Sequence, residues 1–193
     1  LVLAGDSAGA HLALAAALRL RGAGERLIRS LILFYGVYTD ACDDESFSEA
    51  LLTWSGEQAS LIGADITDSR LARLPSDHLH ARRLRLAEVE VTDPSVVTLN
   101  APRSHWRGVV IEGGSIGVLD CSGATWQNVT LQGVRIGYAN LREAKLSDVT
   151  LTGCRIGTLD LAGATTTRVA VLASLVDDLD ARHRTGNHLD LRG

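Results

Sequence analysis

The chain has 193 residues, a formal net charge of −4 and a hydrophobic content of 46%, which suits one ordinary domain or two small ones. So mild a charge gives no sign of a nucleic-acid or membrane-surface partner, and no apolar stretch is long enough to cross a bilayer. Three widely spaced cysteines without a CxxC pair (Cys42, Cys121 and Cys154) indicate a reducing compartment rather than a disulfide framework or a zinc knuckle. We therefore expect a cytoplasmic protein with no cofactor or metal.

The opening segment, LVLAGDSAGAHLALAAAL, predicts a strand, a sharp turn and a helix. Residues 1–4 are apolar, as is typical of a buried parallel strand. Residues 8–21 are rich in Ala and Leu and predict a helix, and residues 27–35 predict the next parallel strand. The GDSAG turn places Ser7 between two glycines, which suit a tight turn and a close approach of helix to strand.

This order of elements is typical of a nucleophile elbow, in which a serine Oγ projects at the carboxyl edge of the sheet. Ser7 is then the candidate nucleophile, and the backbone N–H of Ala8 is a candidate donor to an oxyanion. The alternative interpretation is an ordinary helix N-terminus capped by Asp6 or Ser7.

The segments GDSAGAHLALAAALRLRGAG and LILFYGVY resemble the hormone-sensitive-lipase-like family of α/β hydrolases, over about residues 1–48. The resemblance implies a carboxylester hydrolase with Ser7 as nucleophile and Ala8 as an oxyanion donor. The HGGG-type, DPL-type and late-histidine motifs of that family do not appear in this sequence. We interpret His11 as a helix-face residue, and a serine without a base is a weak nucleophile. Because the first residue is Leu1 rather than Met, we expect that the chain begins within a longer sequence or was cut.

From about residue 61 the sequence has a period of five. Of the 27 positions found at every fifth residue from Leu61 to Leu191, 24 are apolar, whereas the row one residue earlier holds only three apolar residues. A second row of mostly smaller residues, which includes Val129, Val134 and Ala139, lies two positions before the first. This period fits neither a helix nor a simple strand. It predicts a chain that turns a corner every five residues around a filled centre.

A longer period of twenty relates the segments SIGVLD, RIGYAN and RIGTLD, which begin at residues 115, 135 and 155. Four pentapeptides therefore make one coil, and the coils are expected to stack at the strand spacing of ~4.8 Å around a continuous core. Pentapeptides such as ANLRE, AKLSD and LDLAG resemble the pentapeptide repeat family, over about residues 61–193. The resemblance implies a right-handed quadrilateral β-helix.

We thus expect a mainly β chain in three parts. Residues 1–48 form a partial α/β-hydrolase segment of strand, elbow, helix and strand; residues 49–60 form a junction or cap; and residues 61–193 form the pentapeptide repeat β-helix. A fusion, a mis-assembled reading frame and a truncated product all remain explanations for this order.

Histidines are the first candidates for chemistry within the repeats. Asp77, His78 and His80, or His183 and His188, could suggest a metal site. We favour a polar outer face for both groups, because they lie in the less regular first and last repeats.

Two tryptophans and two cysteines occupy inward positions of the repeat. Trp106 and Trp126 lie one coil apart, and we favour stacked core filling over a binding platform. Cys121 and Cys154 are interpreted as inert small hydrophobic residues.

One polar position recurs every twenty residues, immediately before an inward residue. Its members are Asn100, Asp120, Asn140, Asp160 and Asp180. We expect these side chains to stack on one face and to accept hydrogen bonds from backbone N–H groups at the adjacent corner, as Asn and Asp do in turns. We favour this structural ladder over a cation site.

The leading functional prediction is a non-catalytic scaffold or protein-interaction solenoid with an unknown protein partner, no nucleic acid and no membrane; the oligomeric state stays open. Residues 61–193 carry 15 basic and 15 acidic residues, a poor imitation of a polyphosphate, which disfavours DNA mimicry. The alternative is a carboxylester hydrolase that is active only if its missing acid and base come from elsewhere.

Overall fold

The computed structural model describes residues 2–5, 30–33, 37–38, 53–55, 58–72 and 77–192, and side chains within residues 60–71 and 77–192. All regular structure in these residues is β-strand. The strands, β1 to β18 in chain order, are Val2–Gly5, Ser30–Leu33, Val37–Tyr38, Thr53–Ser55, Gln58–Ser60, Asp65–Ala72, His78–His80, Arg85–Thr92, Ser95–Asn100, His105–Glu112, Ser115–Asp120, Thr125–Gln132, Arg135–Asn140, Lys145–Thr152, Arg155–Asp160, Thr165–Leu172, Leu175–Asp180 and Thr185–Arg192.

The first two strands form a parallel pair. β1 pairs with β2 from Val2 opposite Ser30 to Gly5 opposite Leu33, as the sequence predicts for strands on either side of a crossover helix. The predicted helix over residues 8–21 lies outside the described residues.

The remaining strands form a parallel β-solenoid with two eight-stranded sheets. One sheet has the order β18-β16-β14-β12-β10-β8-β6-β3, and the other has the order β17-β15-β13-β11-β9-β7-β5-β4. From β6 onward in the first sheet and from β5 in the second, neighbouring strands are parallel and paired residues are twenty apart, as in Trp106 opposite Trp126. This confirms the coil length expected from the sequence.

Antiparallel strands cover the N-terminal end of both sheets. β3 pairs antiparallel with β6, with Val37 opposite Leu71, and β4 pairs antiparallel with β5, with Trp54 opposite Ala59. An uncovered edge strand offers unpaired N–H and C=O groups to other chains. The two short strands therefore end the run of parallel pairing at this end.

Each complete coil among the described residues has left-handed backbone at three positions that recur every twenty residues. In one coil the left-handed residues are Gly123, Asn128 and Gly133, with φ values of 63°, 53° and 66°. Positive φ at such a turn favours Gly and Asn. The coils also approach closely at Gly137 in β13, where an added Cβ would lie 2.6 Å from the carbonyl oxygen of Gly117 in the preceding coil. In these coils glycine permits the close approach of the two backbones, whereas the same position in outer coils is Val97 or Asp177.

Both inward rows form one core. Every described member of the main row from Leu61 to Val171 is buried. The buried polar member, Thr166, accepts a hydrogen bond at its Oγ1 from the guanidinium of Arg184. In the last coil the row becomes accessible, and Leu191 is 48% exposed, because no further described coil packs over it.

We expect Leu146→Ala to lower the free energy of unfolding by about 2–5 kcal/mol, because Leu146 is 1% exposed and its removal leaves a cavity between coils. The adjacent Lys145 is exposed, and Lys145→Ala should change the same quantity by less than about 0.5 kcal/mol. Chemical unfolding of both variants measures the difference. Equal losses at the two positions would show that the inward register is wrong.

Candidate functional site

The elbow residues lie just beyond a described strand. β1 ends at Gly5, the first residue of the GDSAG turn. Ser7 and Ala8 lie outside the described residues, so their assignment as nucleophile and oxyanion donor stays a prediction.

The two tryptophans are part of the core. Their rings are stacked with centroids 4.7 Å apart and planes inclined by 10°, and Trp106 and Trp126 are 2% and 0% exposed. Stacking at this distance adds to the burial of two large apolar surfaces. The interpretation as core filling is therefore confirmed, and neither ring offers a face to a ligand.

Both described cysteines are buried free thiols, Cys121 and Cys154. Burial raises the pKa of the Cys121 thiol, and the neighbouring Asp120 carboxylate raises it further. Burial likewise raises the pKa of Cys154. Since the thiolate is the reactive form, both side chains act as small hydrophobic residues.

The histidines do not assemble a metal centre in the part of the chain that is described. His78 and His80 lie on β7, whereas His183 and His188 occupy left-handed corners in the last coil, with φ of 57° and 53°. Among the described residues, no group of three or more His, Cys, Asp and Glu side chains could hold a metal ion.

The polar ladder expected from the sequence is present. Its five members are paired residues of neighbouring strands and stack along β9, β11, β13, β15 and β17. Four of them accept a hydrogen bond at Oδ1 from the backbone N–H two residues later, at 3.0–3.2 Å; these are Asp120, Asn140, Asp160 and Asp180. In these four coils the ladder residue thus forms an Asx turn with the corner that follows it, whereas Asn100 makes no such bond within the described residues.

Neutral and basic side chains lie between the carboxylates of the ladder. The Nδ2 of Asn140 donates to Oδ1 of Asp120 at 3.0 Å. Asp160, whose side chain is 5% exposed, accepts from Nε of Arg142 at 2.5 Å and from the Tyr138 hydroxyl at 3.0 Å. A buried carboxylate requires such paired donors.

Arginine also neutralises Asp180, the last residue of the ladder. Asp180 accepts from Nη2 of Arg182 at 2.6 Å, and a second guanidinium, that of Arg142, lies 3.8 Å away. The hydrogen bonds from Arg182 lower the pKa of Asp180 to about 2. The guanidinium of Arg142 therefore lies near both Asp160 and Asp180. Its positive charge offsets the repulsion expected between these stacked carboxylates.

Burial and a hydrogen bond also perturb the tyrosine of this cluster. Burial raises the pKa of Tyr138, and the bond to Asp160 raises it further. Sequence reasoning missed Tyr138, Arg142 and Arg182. A signal was available for the arginines, because both stand two residues after a ladder position.

Strand pairing and the packed ladder define a parallel β-solenoid protein that follows a parallel two-stranded segment. A family model of the alpha/beta hydrolase fold matches residues 1–98, and a model of pentapeptide repeats matches eight copies within residues 120–156. The chain belongs to the α/β-hydrolase fold family and carries pentapeptide repeats in its second half. No curated protein and no solved structure matches it.

The hydrolase match extends well past the segment of resemblance seen in the sequence. It ends at residue 98, whereas the described residues from Gln58 onward already pair as coils, for example Ile66 opposite Leu86. The twenty-residue register is a direct geometric property of these residues, so we describe them as solenoid. Within the described part of the chain, no helix has the length and apolar character needed to cross a membrane.

We expect Asn140→Asp to destabilise the fold near neutral pH. The change removes the donor to Asp120 and places a fourth consecutive carboxylate in the ladder. A carboxylate crowded by others has a raised pKa, so the loss relative to wild type should shrink as pH falls and the new group is protonated. Thermal melts at neutral and acidic pH measure this loss.

Asn140→Ala is the matched control, because it removes the same hydrogen bonds without adding a charge. Its loss should change little with pH. Asp180 stabilises the wild-type fold above the ordinary aspartate pKa of ~3.9, and this contribution is lost as pH falls toward its own pKa of about 2. Wild type and variants are therefore compared at each pH. No loss for Asn140→Asp at neutral pH would contradict the ladder argument, and a large rescue by calcium would favour a cation site.

Proposed function

We propose that this chain is a non-catalytic repeat scaffold, organised as the three parts expected from its sequence, whose solenoid binds a protein partner. The observation that carries the proposal is the parallel register that persists from β6 to β18. It keeps one coil outline while the outward side chains change from coil to coil, as in the paired residues Thr125, Lys145 and Thr165. Solenoids of this kind offer extended surfaces to partners.

One face of the solenoid has the features of a protein-binding surface. Val97 and Val118 are 52% and 36% exposed. Val97 lines a groove of about 500 Å³ together with Gly117, Arg135 and Arg155, and Val118 directly follows Gly117 in the chain. Apolar contacts bordered by charged side chains of both signs, here arginine and aspartate, are a common composition of interfaces. This groove supports a protein partner better than a nucleic acid, because the solenoid as a whole carries balanced charge.

The second candidate function is carboxylester hydrolysis. It is favoured by the hydrolase family match and by the position of Ser7 two residues after the end of β1. A nucleophilic serine needs a base oriented by a third group. This function therefore requires an acid and a base that come from outside the recognised elbow.

A partner that co-purifies with the full chain should bind the double variant Val97→Glu, Val118→Glu at least about tenfold more weakly, since two buried carboxylates oppose an apolar contact. Lys145→Glu, on a different face, is the charge-matched control and should retain the partner. Equal retention by both variants would rule out this face, and the absence of any specific partner for the wild type would contradict the scaffold.

We expect the purified chain to hydrolyse a short p-nitrophenyl ester no faster than its Ser7→Ala variant, because the serine lacks a base. The measurement is the initial rate over the buffer background. Turnover that disappears in the variant would establish the hydrolase function instead.

A further inference from the structure

A surface hollow of about 450 Å³ lies beside the polar ladder, at the corner that follows β7, β9 and β11. Its volume is within the range of small-molecule sites. The polar side chains that line it are His80, Arg82, Asn100, Arg103, Ser122 and Glu143.

The ladder is interrupted at this hollow. Every later rung accepts a hydrogen bond from the N–H two residues on, but the residue two after Asn100 is Pro102, which has no N–H. Accordingly, the half-buried Asn100 side chain makes no hydrogen bond within the described residues. Asn100 lines the hollow, and its amide has unused donors and an unused acceptor among the described residues.

The hollow also contains an arginine without the carboxylate that the repeat supplies elsewhere. Arg142 and Arg182 occupy the same coil position as Arg82 and pair with the ladder residues Asp160 and Asp180. In the coil of Arg82 the position equivalent to a ladder residue is His80, which pairs with Asn100 of the next coil, and neither residue carries a carboxylate.

A second unpaired arginine, Arg103, lies in the next coil. The backbone N–H of Arg83 donates to the carbonyl of Pro102 at 3.0 Å, and that of Arg103 donates to the carbonyl of Ser122 at 2.8 Å, so these corners are stacked directly. Neither Arg82 nor Arg103 forms an ion pair with a described residue.

We propose that this hollow binds a phosphate group, which takes the place of the missing ladder carboxylate. Two guanidinium groups match the charge of a phosphate dianion. Together with the Asn100 amide and the Ser122 hydroxyl they provide more donors than one carboxylate uses. The Glu143 carboxylate at the far rim repels an anion and confines the site to the end bounded by Arg82, Asn100 and Arg103.

Calorimetric titration of the full chain at low ionic strength tests the site, with inorganic phosphate and glycerol phosphate as separate probes and acetate as the carboxylate comparison. Saturable one-site binding is expected, with acetate weakest. The tighter of the two phosphate probes distinguishes a free ion from a phosphate monoester. The double variant Arg82→Gln, Arg103→Gln should bind about tenfold more weakly or worse. The matched control, Arg135→Gln with Arg155→Gln, removes the same charge from the other groove and should bind as the wild type does.

Asn100→Asp provides an independent measurement, because it restores the carboxylate that pairs with arginine in later coils. This variant should retain its circular dichroism spectrum and lose phosphate binding. Absence of saturable binding by the wild type, or equal weakening in the control variant, would overturn the proposal. Tighter binding of a DNA duplex that depends on Arg82 and Arg103 would overturn it in favour of a nucleic-acid surface.

Discussion

Parallel stacking of identical coils is the constraint on which the rest of this structure depends. Because neighbouring strands pair residues that are twenty apart, and twenty is four times the inward period, each inward residue packs on another inward residue. Trp126 lies on Trp106 for this reason, and Leu146 lies on Trp126. A coil one residue longer would turn the inward row outward.

The same stacking creates an electrostatic problem that side chains must solve. Polar residues at one coil position come within about one strand spacing of each other, ~4.8 Å, so repeated aspartates would repel. The ladder solves this with an amide between Asp120 and Asp160, and with Arg142 placed near Asp160 and Asp180. Beside His80 and Asn100, Arg82 forms no ion pair with a described residue, so the surface there differs in charge from that of the later coils.

Features that follow the period could be predicted from the sequence. The inward rows, the stacked tryptophans and the ladder at positions 100 to 180 all depend only on which residues lie five or twenty apart, and the structure places them as expected. The ion pair of Arg142 with Asp160 in the next coil could not be predicted. A long exposed side chain can pair with a residue of its own coil or of a neighbouring coil. The sequence indicated only a junction or cap over residues 49–60, and the antiparallel pairing of β3 and β4 could not be predicted because their segments have no periodicity.

The candidate sites also differ in how much of each could be predicted from the sequence. The interruption at Asn100 was hidden because it depends on the backbone N–H that Pro102 lacks, and not on the identity of the ladder residue itself. Ser7 and Ala8 depend on a local motif and lie outside the described residues, so they stay predictions.

The two periods together limit how such a chain can change in length. An insertion or deletion of five residues leaves the inward row intact, and therefore keeps the core filled, but it moves every later ladder residue onto a neighbouring face. Only a change of twenty residues preserves both the core and the stack of Asp120, Asn140 and Asp160. Duplication of a whole coil therefore preserves both the core and the ladder, whereas duplication of one pentapeptide preserves only the core, so the outward surface can be lengthened without loss of either only in steps of one coil.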